Sequence, residues 1–324
     1  MHSRLHHGIP SFAPRGGTLV AIGNFDGIHL GHQAVLRLAC STAEKEALTP
    51  VVLTFEPHPA EVLFGAKLWR LTALPRKVEL LLGLHPSLRV VVEPFTIELS
   101  QMSPESFAER ILLGGLQARR VVVGRNFRFG HGRAGDLARL TELGKGLGFV
   151  AEALELAGDG DGPYSSTRAR DALNAGNMQA VRSILGRPHA LTGQVVAGDR
   201  RGRSIGFPTA NLDGVAEVKP KAGVYATLVD IERGGAFERL GLGAMNIGVR
   251  PTVAAGASTE VHVLDFDGDL YGSTLRVHVI ERLRDEQRFD GLAQLKRQLA
   301  VDVADARQRL ASLVAEAGAG AAWF

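Results

Sequence analysis

Short apolar segments recur through the first half of the chain and alternate with stretches that have the apolar spacing of helices. The apolar segments lie at residues 18–23, 50–55, 89–93, 120–124 and 148–154. The helix-like stretches lie between them, at residues 33–47, 75–82, 103–113 and 136–147. Strands that alternate with helices are typical of a parallel sheet with helices on both faces. The pattern therefore predicts an α/β domain that binds its ligands beyond the carboxyl ends of its strands.

The pattern changes after residue 188, where short β-like runs replace the alternation of strands and helices. These runs lie at residues 190–196, 223–230, 242–247, 259–266 and 274–283. Several short strands separated by Gly, Asp and Pro predict a sandwich or a barrel. A final helix is predicted from Gly291 to about Ala315, and we expect its apolar stripe to pack on the domain. The stripe comprises Leu292, Leu295, Leu299, Val303 and Leu310.

The boundary between the two patterns falls at Gly186-Arg187-Pro188, which ends a helix predicted to start near Thr167. A chain of 324 residues is also long enough for about two domains. We therefore divide the sequence into a first domain at residues 1–186 and a second domain at residues 187–324.

The most distinctive polar segment is GNFDGIHLGH, at residues 23–32, between the first apolar segment and the first predicted helix. A strand, a glycine-rich turn and a helix start form a phosphate site, because a helix N-terminus has free N–H groups and a partial positive charge. Gly23 lets the backbone approach a ligand, and His29 and His32 can donate hydrogen bonds to phosphoryl oxygens. The segment from His29 to His32 resembles the H-x-G-H pattern of nucleotidyltransferases. The alternative is a structural turn with two incidental histidines.

Three other polar segments follow predicted strands or begin a helix, and they are TFEPHP at 54–59, GRNFRFG at 124–130 and SSTRAR at 165–170. His58 lies between two prolines, so by itself it predicts a rigid connection. Asn126 lies among arginines and aromatic residues, which suit either an aromatic ring plus phosphate or an ordinary basic loop. The hydroxyls and arginines of the third segment suit a polyphosphate, with a serine cap and solvated arginines as the alternative.

The densest polar segment of the second half is GDRRGRSIGFPTANL, at residues 198–212. Its glycines allow the backbone to approach a phosphate. Thr209 and Asn211 are two residues apart, so their side chains point the same way on an extended chain. Such neutral oxygens suit Mg²⁺ when ATP phosphates supply the charge. The arginines also permit an RNA-binding loop, although aromatic residues for base stacking are sparse.

Glu260 begins the segment EVHVLDFDGDLYG, at residues 260–272. A carboxylate at this place can take a proton from a hydroxyl nucleophile, or it can face solvent from a strand. The run from Asp267 to Asp269 mimics part of a calcium loop but lacks the full EF-hand spacing, so it predicts a tight turn.

Composition disfavours several other classes of protein. The net charge of +3 is too small to indicate nucleic-acid binding by itself. Cys40 is the single cysteine, which excludes a disulfide within the chain and favours a reducing compartment, and its apolar neighbours predict a buried helix position. Residues 1–14 lack the apolar core of a signal peptide, and no apolar run has membrane-spanning length. We therefore expect a cytoplasmic protein.

Two sets of motifs in this sequence resemble the two modules of one known enzyme family. GNFDGIHLGHQ, TFEPHP, VGRNFRFG and SSTRAR resemble, in order and spacing, the adenylyltransferase module of bacterial bifunctional riboflavin kinase/FMN adenylyltransferases. GRSIGFPTANL, MNIGVRPTV, EVHVLDFDGDLYG and LRDEQRF are similar to the riboflavin kinase module of the same family. The resemblance implies an α/β nucleotidyltransferase domain with a Rossmann-like parallel sheet, followed by an antiparallel β-barrel kinase domain with a C-terminal helix.

The resemblance also implies two reactions and the residues that serve them. The second domain would phosphorylate riboflavin with MgATP to give FMN, and the first would join FMN to the AMP part of a second ATP, giving FAD and pyrophosphate. The implied catalytic residues are His29, His32, Asn126 and Glu260. The implied nucleotide- or flavin-binding residues are Gly23, Phe25, Asp26, His58, Ser166, Thr167, Arg170, Gly198, Gly202, Arg203, Gly206, Phe207 and Pro208. Thr209 and Asn211 are the implied ligands of Mg²⁺.

Other hypotheses stay open at this point. The first domain can be a binding or scaffolding module beside a working kinase, in which case FMN would accumulate without FAD. A nucleic-acid-binding protein would use the arginines at 200–203 and would show a salt-dependent gel shift. Another acceptor, such as a phosphopantetheine-like substrate, is disfavoured mainly by the second domain. We expect riboflavin, FMN and ATP as partners, with no nucleic acid and no membrane.

Overall fold

The structure, a computed structural model, describes residues 2–9, 16–65, 68–155, 157–198, 206–249 and 257–316. The chain forms two compact units. The first comprises Met1–Leu68 and Ala73–Ser165, and the second comprises Trp69–Thr72 and Ser166–Phe324. The domain boundary after residue 186 stays a prediction, and the helices between residues 166 and 185 are described with the second unit.

A parallel sheet forms the centre of the first unit. Its strands are β1 (Leu5–His7), β2 (Thr18–Ile22), β3 (Thr49–Glu56), β4 (Arg89–Pro94), β5 (Ala118–Val123) and β6 (Val150–Ala153). They lie in the order β1–β4–β3–β2–β5–β6, and every neighbouring pair is parallel. The apolar segments predicted all of these strands except β1, whose sequence LHH has no apolar run. A separate hairpin pairs β7 (Gly158–Asp159) with β8 (Gly162–Pro163).

Helices cover both faces of this sheet, as the alternating pattern predicted. They are α1 (Leu30–Lys45), α2 (Pro59–Phe64), α3 (Leu74–Leu84), α4 (Ile97–Ser100), α5 (Pro104–Ser106), which continues as a π-helix (Phe107–Gly115), and α6 (Leu137–Leu147). Val20 and Ile22 of β2 enter one apolar core, and Ala21 enters the core on the opposite face. Successive strand residues point to opposite faces, so each face is covered by its own helices. The predicted Ser103 cap is confirmed, because its hydroxyl accepts a hydrogen bond from the Ser106 N–H.

The prediction of one continuous helix between Thr167 and residue 185 is wrong. The structure has two helices there, α7 (Ser166–Ala175) and α8 (Met178–Leu185). Gly176 between them has a φ of 75°, a left-handed conformation that ends a helix. The Asn177 side chain then caps α8 by accepting a hydrogen bond from the Ala180 N–H.

The strands of the second unit close into an antiparallel barrel. They are β9 (His189–Val196), β10 (Ala210–Asp213), β11 (Gly223–Arg233), β12 (Ala236–Val249), β13 (Ala257–Val263) and β14 (Thr274–Arg284). Their order is β10–β13–β12–β11–β14–β9, and β9 pairs with β10 to close the barrel. The fold therefore decides between the sandwich and the barrel that the pattern allowed. The pattern missed the short strand β10, and the run predicted at 259–266 ends earlier, at Val263.

Helix α9 (Leu292–Glu316) packs on the outer face of the barrel. Ala306 and Leu310 of this helix are buried against Ala226 and Leu228 of β11. The predicted packing of the helix on its own domain is therefore confirmed, although Leu292, the first residue of the predicted stripe, is exposed.

A buried ion pair fixes the same helix to the barrel. The Asp302 carboxylate accepts two hydrogen bonds from the Arg284 guanidinium, each at 2.7 Å. Such bidentate pairs add geometric specificity to the attraction between charges. The pair thus holds the middle of α9 beside the end of β14.

A second buried charge cluster lies in the barrel wall, and it makes the stability of the second unit depend on pH. Asp230 of β11 lies 2.7 Å from His278 Nε2 and 2.5 Å from Arg239 Nε. Burial alone would raise the pKa of this carboxyl, but its hydrogen bonds and the charges of His278 and Arg239 outweigh burial and hold the pKa at about 2. The ionised carboxylate therefore contributes stability above its unfolded pKa of about 4, and this contribution is lost as the pH falls toward 2.

We expect Asp230→Asn to lower the free energy of unfolding of the second unit by about 2 kcal/mol near neutral pH, because the amide cannot replace the charge. Calorimetry of the full chain would measure this as a lower transition temperature that converges with the wild-type value in acid. Glu281→Gln is the matched control, since Glu281 and Arg309 form an exposed ion pair of little expected effect. An equal effect of the two substitutions would contradict the prediction.

Candidate active sites

The sheet brings neighbouring polar segments to one edge. Strand β2 lies between β3 and β5, so the segments at 23–29, 57–59 and 124–130 all leave the carboxyl edge of the sheet. The Asn24 amide lies 3.0 Å from His58 Nε2, which joins the first two segments directly. The predicted convergence of these segments therefore follows from the strand order.

The turn after β2 has a strained backbone. The φ angles are 47° at Phe25, 82° at Gly27 and 40° at Ile28. Residues other than glycine rarely adopt this left-handed region, and such strain collects at functional sites. The Phe25 ring is buried, and a side chain at Gly23 would meet that ring at 3.2 Å. Gly23 and Phe25 therefore shape the turn from inside, while Asp26 between them and the helix is only partly buried.

His29 and His32 form a compact pair at the start of α1. His29 caps the helix, because its Nδ1 accepts a hydrogen bond from the His32 N–H at 3.3 Å. The two rings stack with their centroids 3.6 Å apart, and the Phe25 ring meets the His32 ring edge-on at 5.2 Å. Since His29 Nδ1 accepts, the neutral ring carries its proton on Nε2. Such a fixed N–H group is suited to bind a phosphoryl oxygen.

A buried lysine adds positive charge to this pair. Burial, together with the positive charges of His29 and Lys77, holds the pKa of His32 well below its usual value. Lys77 lies on α3 and is 2% exposed. The charge of this buried lysine therefore acts on His32 at the start of α1. Sequence reasoning missed Lys77, because a lysine in an amphipathic helix gives no local sign of burial.

His58 has structural partners on both ring nitrogens. Its Nε2 lies beside the Asn24 amide, and its Nδ1 accepts a hydrogen bond from the Ala60 N–H at 3.1 Å. The backbone N–H of His58 also donates a hydrogen bond to the Glu61 carboxylate at 3.3 Å. These bonds form a capping box at the start of α2. His58 therefore caps a helix and braces Asn24, and direct ligand binding by His58 stays a prediction.

The segment after β5 separates aromatic anchors from polar residues. Phe127 and Phe129 stack with their centroids 5.5 Å apart, and Phe129 is buried against Gly135. Asn126 is exposed, and its neighbour Arg125 pairs with Glu155. The aromatic rings thus hold the loop, while the Asn126 amide is accessible to a ligand.

The SSTRAR segment begins α7, as predicted. Ser166 is partly buried, Thr167 is exposed, and Arg170 Nη1 donates to the Trp69 carbonyl at 2.7 Å. Ala169 is fully buried. These residues belong to the second unit by their contacts, so their part in the chemistry of His29 and His32 stays a prediction.

Glu260 is the centre of a polar row across three strands of the barrel. It lies directly opposite Asn211 of β10 on one side and opposite Asn246 of β12 on the other. Directly opposed side chains in an antiparallel pair are about 5 Å apart at Cβ, so these groups are within reach of one another. Their strand neighbours Ala210 and Val261 are buried on the opposite face. Sequence reasoning found Asn211 and Glu260 but assigned nothing to Asn246, because register is not visible in the sequence.

Two of the predicted glycines have clear structural reasons. A side chain at Gly198 would lie 2.2 Å from Asn211 Nδ2, so any larger residue would force the Asn211 side chain to move. Gly206 has a φ of 90°, which glycine adopts readily. Gly202 and Arg203 lie outside the described residues.

Further side chains flank the polar row on both sides. On one side, His262 Nδ1 lies 2.8 Å from the Pro208 carbonyl, and the Phe207 ring meets the His262 ring edge-on. On the other side, Glu286 Oε1 lies 2.9 Å from the place that a side chain at Gly248 would occupy. Glu286 is a further residue that sequence reasoning did not assign, and it adds a second carboxylate beside the row.

A cavity of about 590 Å³ lies on the other face of β10 and β13, the face of Ala210 and Val261. Apolar residues of β9, β10 and β13 line it together with Thr209 and the turn that ends at Tyr271. Asp269 accepts a hydrogen bond from the Tyr271 N–H at 2.9 Å, which confirms the predicted tight turn. Cavities of this size and mixed lining are typical of sites for nucleotide-sized ligands.

The chemistry of the site residues suits a metal that arrives with its substrate. Within the described ranges, no three His, Cys, Asp or Glu side chains are grouped closely enough to hold a metal ion. Thr209 and Asn211 offer neutral oxygens, which suit Mg²⁺ whose remaining ligands are phosphate and water. Cys40 is buried, and burial followed by the charge of Glu44 raises the pKa of its thiol to about 11, so it is neither a ligand nor a nucleophile.

These features define a class of protein. The first unit has a parallel sheet with a glycine-rich turn and two histidines at the start of a helix, the arrangement of a nucleotidyltransferase. The second unit is a barrel with a carboxylate, neutral side-chain oxygens and a nucleotide-sized cavity. The chain is therefore a two-domain transferase that acts on nucleotides and phosphoryl groups.

Comparisons with known proteins specify this class. A family model described as FAD synthetase matches residues 12–168, and one described as riboflavin kinase matches residues 185–310. A bifunctional riboflavin kinase/FMN adenylyltransferase of Escherichia coli K12 is 39% identical over 92% of this chain and 94% of its own length. The Haemophilus influenzae relative of the same description is 35% identical over 90% of this chain and 94% of its own length. The chain belongs to the bifunctional riboflavin kinase/FMN adenylyltransferase family and is an enzyme of FMN and FAD synthesis.

A solved structure shares the two-domain fold. It is described as a macrolide-efflux protein from Streptococcus pneumoniae, is 28% identical, and aligns with a TM-score of 0.79 over 94% of this chain and 99% of that chain. In the part of this chain that the structure describes, every helix is too short or too polar to cross a bilayer.

Proposed function

We propose that the two units divide the two reactions, with FAD formation centred on the histidine pair and FMN formation on the polar row around Glu260. The observation that carries the first assignment is the stacked pair of His29, which is buried, and His32, which is partly buried, at the N-terminus of α1. Helix N–H groups and fixed imidazole donors suit the phosphates of ATP. The register of Asn211, Glu260 and Asn246 supports the second assignment.

In adenylyl transfer, an oxygen of the FMN phosphate attacks the α-phosphorus of ATP, and the bond to the β-phosphate breaks to release pyrophosphate. The attacking phosphate is ionised at neutral pH, so the reaction needs no strong base. It needs groups that stabilise the charge that develops on the phosphoryl oxygens. His29 and His32 supply N–H donors for this purpose, and the buried Lys77 supplies positive charge.

Asn126 and the SSTRAR segment are proposed to assist the same reaction. The exposed amide of Asn126 supports its part, because it stands at the carboxyl edge of the sheet. The parts of Ser166, Thr167 and Arg170, with Arg170 on the leaving pyrophosphate, rest on the resemblance of the sequence. Gly23, Phe25 and Asp26 are proposed to shape the turn that receives the phosphates.

In the kinase reaction, the ribityl 5′-hydroxyl of riboflavin attacks the γ-phosphorus of ATP. Glu260 takes the proton of this hydroxyl as the new bond between oxygen and phosphorus forms, and ADP leaves. Thr209 and Asn211 would hold Mg²⁺, which would neutralise phosphate charge when it is bound. The glycine-rich segment, including Gly198, Gly206, Phe207 and Pro208, holds the nucleotide, and the cavity that Pro208 and Thr209 border receives its nucleoside.

We expect a chromatographic time course with riboflavin, ATP and Mg²⁺ to show FMN before FAD, and a second course that starts from FMN to show FAD. Omission of Mg²⁺ should stop FMN formation, because ATP would lose the ion that neutralises its phosphates. FMN as the end product would instead support a kinase with a silent first domain. No flavin product from folded protein would overturn the proposal.

The proposed substrates are riboflavin, FMN and ATP, and no nucleic acid or membrane takes part. Since ATP is consumed in both steps, we propose that the enzyme acts in the cytoplasm.

A further inference from the structure

One side chain joins the glycine-rich segment to the strand that carries Glu260. His262 Nδ1 lies 2.8 Å from the Pro208 carbonyl oxygen. A carbonyl can only accept, so His262 donates its Nδ1–H. The His262 ring also meets the Phe207 ring edge-on, with the centroids 5.6 Å apart. Two successive residues of the segment therefore rest on one histidine.

The position of His262 on β13 gives these contacts a functional meaning. His262 is two residues from Glu260, so the two side chains lie on the same face of the strand. Pro208 immediately precedes Thr209, and the segment joins the sheet at Ala210, which pairs with Val261. The sheet thus holds the chain after Thr209, and His262 holds the chain before it.

We propose that His262 is a positioning residue of the kinase site, whose Nδ1–H bond to Pro208 sets the place of Thr209 relative to Glu260. The proposal rests on the kinase roles given above to Thr209 and Glu260. A displacement of about 1 Å between reacting groups can cost about 100-fold in rate. His262 touches neither reacting atom in this assignment and acts through the backbone of Pro208.

The test compares His262→Asn with His262→Leu. Asparagine places an N–H donor close to the position of histidine Nδ1, whereas leucine has a similar shape and no donor. We expect His262→Leu to lower kcat for FMN formation about tenfold and to raise the KM for MgATP, because one neutral hydrogen bond is worth about that factor. We expect His262→Asn to recover most of both losses.

FAD formation from FMN, measured on the same samples, reports whether the protein remains folded and should equal the wild-type rate in both variants. Equal activity of the Asn and Leu variants, whether normal or low, would overturn the proposal, because the donor would then be irrelevant. Loss of FAD formation together with FMN formation would also overturn it. Glu260→Gln in the same assay distinguishes failure of the His262 proposal from failure of the kinase assignment. A fully active Glu260→Gln variant would refute the kinase assignment itself.

Discussion

Replacement of both His29 and His32 by alanine is expected to lower the rate of FAD formation by about a thousandfold or more, while the same chain still forms FMN from riboflavin. Loss of one preorganised donor to a developing charge costs about 100- to 1000-fold. Alanine at both positions removes both imidazole donors. Because the two rings are stacked, their removal also opens the phosphate site to water. Separate assays that start from FMN and from riboflavin would measure the two rates.

Since His29 also caps α1, the alanine variant loses about 1 kcal/mol of helix stability as well. His29→Asn is the matched control, because asparagine keeps the cap and lacks the imidazole. We expect His29→Asn to remain folded and to be slow in FAD formation. Sustained FAD synthesis by the double alanine variant would refute the proposed part of the histidines.

Replacement of Glu260 by glutamine is expected to lower kcat for FMN formation by about 100- to 10,000-fold, the range for loss of a general base. Glutamine keeps the size and the hydrogen-bonding ability of the side chain in the row with Asn211 and Asn246, and it removes only the ability to accept the hydroxyl proton. The KM for MgATP should change little, because Glu260 is proposed to act on the acceptor. Adenylylation of added FMN should persist at the wild-type rate.

Glu232→Gln serves as the control for this experiment, since Glu232 is an exposed carboxylate near the end of β11. It should leave both activities unchanged. The assignment of Glu260 fails if Glu260→Gln forms FMN at the wild-type rate. It also fails if a folded Glu260→Gln variant loses both activities together.

Local signals were sufficient for most of the secondary structure. Apolar runs predicted strands β2 to β6, and Ser103 before Pro104 predicted the start of α5, because both signals come from neighbouring residues. The prediction failed where a short-range signal was absent or ambiguous. Strand β1 has no apolar run, and the break between α7 and α8 depends on one glycine and one capping asparagine.

The residues of the candidate sites also fall into two groups, those that local motifs reveal and those that only the fold brings to the site. His29, His32, Asn211 and Glu260 stood out because each belongs to a compact motif. Lys77, Asn246, His262 and Glu286 did not, because each becomes notable only through residues that are distant in the sequence. His58 also stood out in the sequence, and in the structure its side chain caps α2.

The sequence alone predicted a parallel α/β half with a glycine-rich turn before its first helix and a β-rich half with a second glycine-rich segment. Periodicity, turn residues and helix caps are properties of residues close together in the chain, so they can be read without a fold. The packed chain was needed to show that the β-rich half is a closed barrel, that Asn246 lies beside Glu260, and that the charge of the buried Lys77 acts on His32. These facts depend on strand order and register, which arise when the whole chain packs and which no local segment specifies.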